Sequence, residues 1–395
     1  MPNALVSRRA EFPDALRIAR AKSSPGLGPR MVFFSGGSAL NDTSRSLKNY
    51  THNSVHLITP FDNGGSSRRL RDAFNMPAVG DLRSRLMALA DETELGQPEI
   101  YALFTHRLPE RATEQELNRE FDALRSGQHR LMKAVPQPMR GLILAQLRVF
   151  DDHKPKGFDF CRASVGNLIL AGGYFANDRA LEPVLFLMSK MVDVLGTVRA
   201  VADVNFHIGA DLADGSRVLG QRQLTGKEEA PLRHPIKRLF LTDMKQEVPP
   251  SAVRLPKRNR KLIERADLIC YSPGSLYSSV IAALLPELVG TTIAAQDVPK
   301  VYVPSLGTDP ECLGLSLLDQ VDALLSALRR DAGSEVPAVR LISHILCDAN
   351  SVDADMARQI GRVHHIQVLR LTLRKKERPD FYDPVLLSDA LISMT

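Results

Sequence analysis

The chain has 395 residues, 44% hydrophobic and 24% charged, which is enough apolar material for a sizeable core and too much for a disordered chain. Lys and Arg total 51 against 45 Asp and Glu, a formal charge of +6. This mild, dispersed bias suits an anionic ligand, and the absence of a concentrated basic tract argues against nucleic acid as a partner. Residues 1–30 are polar and pass through Ser23-Ser24-Pro25-Gly26, so an N-terminal peripheral extension is expected there. Met31 to Phe34 then reads as a strand ending in Ser35-Gly36-Gly37. A polar helical stretch leads to a second strand, Val55 to Thr59. Strand, helix and strand in about 30 residues make a βαβ unit, the element of a parallel sheet.

The second strand runs into Pro60-Phe61-Asp62-Asn63-Gly64-Gly65-Ser66-Ser67, with a helix starting at the serines. Asp81-Leu82-Arg83 opens another helix, with Leu82, Leu86 and Leu89 at helical spacing. Residues 92–160 read as a helical insertion, in which Leu117, Phe121 and Leu124 share one face and Leu142, Leu144 and Leu147 another. Gly166-Asn167-Leu168-Ile169 starts a helix reaching about Phe175. Between 196 and 245 the pattern changes: Val198 to Ile208, Ser216 to Leu224 and Ile236 to Leu241 read as strands of a small antiparallel β flap, with a turn at Asp214-Gly215. Leu268 to Tyr271 is a strand, Ser272-Pro273-Gly274-Ser275 its loop and Leu276 to Leu285 its helix. Val301 to Pro304, Arg340 to Leu346 and Ile366 to Leu373 are further strands. The expected fold is α/β, a mostly parallel sheet flanked by helices, in one domain over 31–395.

Cys161, Cys270, Cys312 and Cys347 form no close-spaced pair; they read as reduced thiols, and zinc is not expected. No stretch reaches the roughly 18 apolar residues of a membrane span. Arg8, Arg9, Glu11 and Asp14 break any secretory signal. A cytoplasmic protein with no membrane partner is the expectation.

Three strand-end loops share a Gly/Ser composition: Ser35-Gly36-Gly37-Ser38, Asn63-Gly64-Gly65-Ser66-Ser67 and Ser272-Pro273-Gly274-Ser275. Glycine permits close backbone approach to a ligand, amides at a helix start attract phosphate, and serine adds donors. Each alone reads equally as an ordinary βα turn. Neither GxGxxG nor GxxxxGK[ST] occurs, against a standard dinucleotide site or a P-loop. Arg68, Arg69, Arg71, Arg83 and Arg85 crowd the second loop. Most of them read as a solvated helix face, while Arg83, after Gly80-Asp81 at a helix start, is a phosphate candidate. Asp62 and Asp81 are candidate carboxylates for Mg²⁺; either could instead cap a helix, and for Asp81 the cap is the stronger single reading. Asn167 suits a base, a ribose or a cap. His207 and His234 lack metal-ligand spacing, and Ser66 and Ser275 have no nearby His/Asp arrangement of a hydrolase.

The ordered set of SGGSAL after a strand, Asp62 to Arg71, Gly80-Asp81-Leu82-Arg83, Gly166-Asn167-Leu168 and Ser272-Pro273-Gly274-Ser275-Leu276-Tyr277-Ser278-Ser279 resembles the CofD/YvcK family. The resemblance runs from about residue 31 to the end, through Tyr382-Asp383-Pro384. It implies a Rossmann-like fold and one of two roles. In the first, a 2-phospho-L-lactate transferase-like enzyme uses Asp62 as catalytic residue and Mg²⁺ ligand. In the second, a gluconeogenesis-factor-type regulator binds a nucleotide sugar without turnover. Both imply a nucleotide-type ligand held by Gly36, Gly37, Ser38, Asn63, Gly64, Gly65, Ser66, Ser67, Asp81, Arg83, Asn167, Pro273, Gly274, Ser275 and Tyr277, in a homo-oligomer. The chain departs from the family pattern at Ser35, Ser38 and Ala39 of the first loop, at Asn63, where a second Asp is usual, and at Arg162-Ala163, where Gly-His is usual in one branch. Asn63 weakens any Mg²⁺ site and so weakens the transferase reading.

Overall fold

The computed structural model describes residues 9–226 and 229–395, apart from the Ser66 side chain. Ten strands form two sheets: β1 (Met31–Ser35), β2 (Val55–Ile58), β3 (Thr197–Ala200), β4 (His207–Leu212), β5 (Arg217–Leu219), β6 (Ile236–Thr242), β7 (Leu268–Tyr271), β8 (Lys300–Tyr302), β9 (His344–Asp348) and β10 (Gln367–Leu371). The large sheet has the order β10-β9-β8-β7-β1-β2-β3, and every pairing in it is parallel. Its central strands β1, β2 and β7 are buried at every position, as a sheet covered on both faces requires. From β1 the chain proceeds outward to β2 and β3, then returns to the other side of β1 and proceeds outward again from β7 to β10. The order therefore reverses between β1 and β7, and ligands of open α/β sheets bind in the crevice at such a point, beyond the strand C-termini.

The insertion packs as part of the body. Its helices Pro98–Thr105, Glu114–Arg125, Arg130–Ala134 and Met139–His153 share a core with the helices over Gly65–Phe74, Gly80–Leu89 and Val165–Ala176, and with Ile58 and Val198 of the sheet. Phe74, Phe121, Phe150, Phe158 and Phe160 make its aromatic centre, with stacked and edge-on pairs 4.5 to 5.9 Å apart. The buried face of Met139–His153 is Ile143, Gln146, Leu147 and Phe150. The spacing of Leu142, Leu144 and Leu147 is not a helical face, and Leu142 is exposed.

The flap exists with different bounds. The expected strand over 198–208 is two strands in two sheets: β3 pairs in parallel with β2, and β4 starts the antiparallel sheet β5-β4-β6. The expected strand over 216–224 ends at Leu219. Gly220 adopts φ 93, which turns the chain into a short helix, Gln221–Thr225. Arg340 and Leu341 belong to a helical turn before β9. At the other end of the chain, the helix Ala15–Ser23 lies on the C-terminal helix Pro384–Ser393, where the Asp14 N–H donates to Ser393 Oγ (2.9 Å). The four cysteines are unpaired, Cys270 and Cys347 buried in β7 and β9. Among the described residues no helix is long and apolar enough to cross a membrane.

Candidate functional site

A polar cleft of about 940 Å³ opens at the β1/β7 reversal. Its lining contains ten of the residues singled out by sequence: Gly37, Ser38, Asp62, Gly64, Gly65, Ser67, Asp81, Arg83, Asn167 and Ser275. Five separate motifs thus meet at one place, because β1, β2 and β7 are neighbours and each motif follows a strand or opens a helix above them.

The floor is the turn into the helix Gly65–Phe74. Gly64 is its N-cap, and Gly64 and Gly65 line the cleft, so the positive end of the helix dipole borders it. Asp62 is held at the lip, with the Gly64 N–H donating to its Oδ1 (3.3 Å). Burial raises the Asp62 pKa, while hydrogen bonds from Gly64, Ser67 and Gln221 and the charge of Arg71 oppose this. Arg71 braces the turn from beneath, donating to the carbonyls of Asp62 (3.0 Å) and Phe206 (2.6 Å) and to Asn205 Oδ1 (3.1 Å). Ser67 Oγ accepts the Gly80 N–H (3.1 Å), which joins the second motif to the third. A Cβ on Gly80 would meet that oxygen at 2.4 Å, so the contact requires glycine. Asp81 lies in the first turn of Gly80–Leu89, past its N-cap Val79, and lines the cleft. Asn167 is likewise past its helix cap, Ser164, and borders the cleft while buried.

The third loop is built differently from the expectation. Its helix begins with a turn of π-helix, Leu276–Ile281, a feature common at functional sites. The amides at its start are taken by the chain's own carboxylates. Leu276 N–H donates to Asp309 Oδ2 (2.9 Å), and the Tyr277 and Ser278 N–H groups to Glu311 Oε2 (3.0 and 2.8 Å). Gly274 N–H donates to Ser305 Oγ (2.9 Å). A diphosphate therefore has no claim on the Gly274 amide or on this helix start, and the loop presents Ser275 and Ser279 to the cleft, with Ser278 behind them donating its hydroxyl to Glu311.

Four other expected residues do not line the cleft. Gly36 is buried, its carbonyl accepting from Arg85 (3.3 Å). Pro273 is buried behind the loop. The Tyr277 hydroxyl donates to the Ile236 carbonyl (3.1 Å), toward the flap. The Asn63 N–H donates to Gln221 Oε1 (2.6 Å), and its side-chain amide lies by Gly220. The Ser66 side chain lies outside the described residues. His207, half-buried at the start of β4, and His234, beside Asp214 (3.5 Å), are also away from the cleft.

Sequence reasoning missed Gln221 and Thr225, which the flap helix brings to the rim, and Arg107 and Arg162 on the wall. No sequence signal marked them, since each reaches the cleft by a tertiary contact. The five arginines near the second loop also sort differently. Only Arg68 is a solvated side chain, paired with Asp72 (3.2 Å), and Arg69 pairs with Asp159 (3.0 Å). Arg71, Arg83 and Arg85 are buried.

Outside the cleft, His106 Nε2 lies 2.8 Å and His129 Nε2 3.9 Å from Glu120 Oε1. The Leu131 N–H donates to His129 Nδ1 (3.3 Å), which leaves the neutral ring's proton on Nε2. A metal would need the lone pair there, so the cluster reads as a hydrogen-bonded junction of three helical segments.

A doubly wound sheet with an arginine-walled cleft at its reversal point defines a Rossmann-like protein. Residues 31–376 match the family described as 2-phospho-L-lactate transferase CofD, and the chain belongs to the CofD family. It is 29% identical over 300 residues to the gluconeogenesis factor of Bacillus subtilis, covering 76% of this chain and 75% of that one. To the putative gluconeogenesis factor of a Nostoc species it is 30% identical over 305 residues, 76% of this chain and 52% of that one. A crystal structure of a UPF0052 family member from Bacillus halodurans superposes with a TM-score of 0.66 over 92% of this chain and 99% of that one, at 21% identity, which speaks to the fold.

Proposed function

We propose that the cleft binds a nucleotide-type ligand through its diphosphate, and that the protein acts as a nucleotide-sugar-responsive regulator of the gluconeogenesis-factor kind. The observation that carries this is the helix Gly65–Phe74 starting at an arginine-walled cleft at the sheet's reversal point, beside the Gly/Ser loops after β1 and β7. Helix dipole and guanidinium groups together favour phosphate, and the cleft is large enough for a base and a sugar as well. The relatives named gluconeogenesis factors support this reading over the transferase named in the family description.

One observation keeps the transferase reading in play: the Asp62 carboxylate faces the same cleft. Among the described residues, the cleft has no group of three metal-ligating side chains. Apart from Asp72, which pairs with Arg68, its lining carboxylates are Asp62 and Asp81, and these fit Mg²⁺ arriving with a diphosphate and keeping its waters. Asp62, with Asp81 as a second candidate, would hold it, and the ion would supply charge neutralisation at the phosphates.

Titration calorimetry with UDP-glucose, UDP-N-acetylglucosamine, GDP and GTP, with and without Mg²⁺, separates the readings. The regulator predicts tight binding of a nucleotide sugar, little dependence on Mg²⁺, retention of binding in Asp62→Asn and no product on prolonged incubation. Nucleotide release that Asp62→Asn abolishes would establish the transferase instead.

A further inference from the structure

The wall of the cleft opposite in charge to its lip carries more positive charge than the protein itself balances. Arg83 is 8% exposed yet lines the cleft. Its one hydrogen bond among the described residues is a long one, from Nη1 to the Phe104 carbonyl (3.4 Å), and its Nε has none. Arg107, beside it, donates only to the Arg162 carbonyl (3.3 Å). Neither forms an ion pair among the described residues, whereas the other cleft arginines do: Arg68 with Asp72, Arg69 with Asp159 and Arg162 with Glu110 (3.2 Å). Asp81 is the nearby carboxylate, and it is shared with the fully buried Arg85.

The placement of Arg83 is built in. A Cβ on Gly166 would lie 2.8 Å from Arg83 Cδ and 2.6 Å from the Phe104 carbonyl. The glycine of the Gly166-Asn167-Leu168 motif thus leaves the space in which the arginine is seated. Burial, then the charge of Arg107, lowers the Arg83 pKa to about 10; at neutral pH it stays charged. A buried guanidinium with free donors, next to a second cation, costs free energy unless an anion completes it.

Given the phosphate reading of the cleft, on which this inference rests, we infer that Arg83 and Arg107 form a second anion subsite, which selects ligands bearing a carboxylate or phosphate in addition to the diphosphate on the Gly65–Phe74 helix. The ligand class is then a nucleotide sugar acid or a sugar nucleotide with a further phosphate, in preference to a neutral sugar. The planar fork of arginine matches either group in a bidentate manner.

Two ligand pairs that differ only at carbon 6 of the hexose test this by calorimetry or competition. UDP-glucose against UDP-glucuronate adds a carboxylate; glucose 1-phosphate against glucose 1,6-bisphosphate adds a phosphate. The wild-type chain is expected to favour the more anionic member of at least one pair by roughly tenfold or more, the scale of one charge-assisted hydrogen-bonded pair. In Arg107→Gln, at an exposed position that the fold tolerates, that ratio falls toward one. In Arg83→Lys, which keeps charge without the fork, it falls part of the way. Equal affinities within both pairs in the wild type overturn the second subsite while leaving the phosphate site standing. A ratio that survives Arg107→Gln and Arg83→Lys overturns the assignment to these arginines. Failure of all four compounds to bind overturns the phosphate reading and this inference together.

Discussion

Arg85→Met is expected to lower the free energy of unfolding by about 3 kcal/mol and to abolish ligand binding. Arg85 is 1% exposed and heads the largest fully buried side chains. Its Nη2 donates to the carbonyls of Gly36 (3.3 Å) and Gly37 (3.2 Å), and its Nη1 to Ser44 Oγ. These bonds pin the turn after β1 against the helix Gly80–Leu89, and Gly37 and Ser38 of that turn line the cleft. Two effects oppose each other in the variant. Methionine removes a buried charge whose cost shows in an Arg85 pKa pushed by burial down to about 9, and so recovers desolvation. It also strands the Gly36 and Gly37 carbonyls, at about 1–3 kcal/mol for each buried group left without a partner, takes a donor from Ser44 Oγ, which keeps its own bond to the Leu40 carbonyl (2.8 Å), and withdraws a cation from Asp81. The stranded groups outnumber the single charge relieved, so the loss wins. Urea unfolding followed by circular dichroism measures it. A variant within about 0.5 kcal/mol of the wild type, the usual range of a surface change, would refute the role of Arg85 as the anchor of the first loop.

The same residue shows what was legible in the sequence. Strands β1 and β7 are apolar runs and β2 is one interrupted only by His56, each followed by a Gly/Ser loop, so a mostly parallel sheet with the motifs at strand ends could be read directly, whereas the pairing of β7 with β1 could not. Residue type alone did not show which arginines face inward. Arg71 and Arg85 are buried because carbonyls at Phe206 and at Gly36 and Gly37 meet them; these acceptors lie 135 and about 50 positions away and become neighbours only when the sheet forms. The Leu276 helix is a comparable case. A Pro-Gly-Ser turn before a helix reads as a phosphate loop, and nothing local reveals that Asp309 and Glu311, more than 30 residues on, already occupy its N-terminus. The bounds of β3 and β4 were lost for another reason. Val198 to Ile208 keeps one apolar character while the chain leaves one sheet for another, and periodicity carries no record of that change.

Glu311 leads to a pH-dependent result. It is fully buried, its Oε2 accepts from the Tyr277 and Ser278 amides, and its Oε1 accepts from Ser278 Oγ. Burial, with the neighbouring Asp309 charge second, raises its pKa from 4.5 to about 7; the three hydrogen bonds offset only part of this. The folded state therefore holds this proton more tightly than the unfolded state does. The favourable contribution is fully present below about pH 4.5, declines as pH rises through the interval to about 7, and is gone above it. At about 1.4 kcal/mol for each tenfold change in acidity, the interval corresponds to roughly 3 kcal/mol. Glu311→Gln is permanently neutral and keeps an oxygen for the two amides and an NH₂ for the serine oxygen. It should match the wild type near pH 4.5, exceed its stability at pH 8 by up to about 3 kcal/mol, and leave the Leu276 helix and its cleft serines in place. Chemical-denaturation midpoints of both proteins at pH 5 and pH 8 decide the matter. If the variant is weaker than the wild type by the same margin at both values, the negative charge itself holds the helix end, and Glu311 is an ionised cap instead of a buried, proton-holding one.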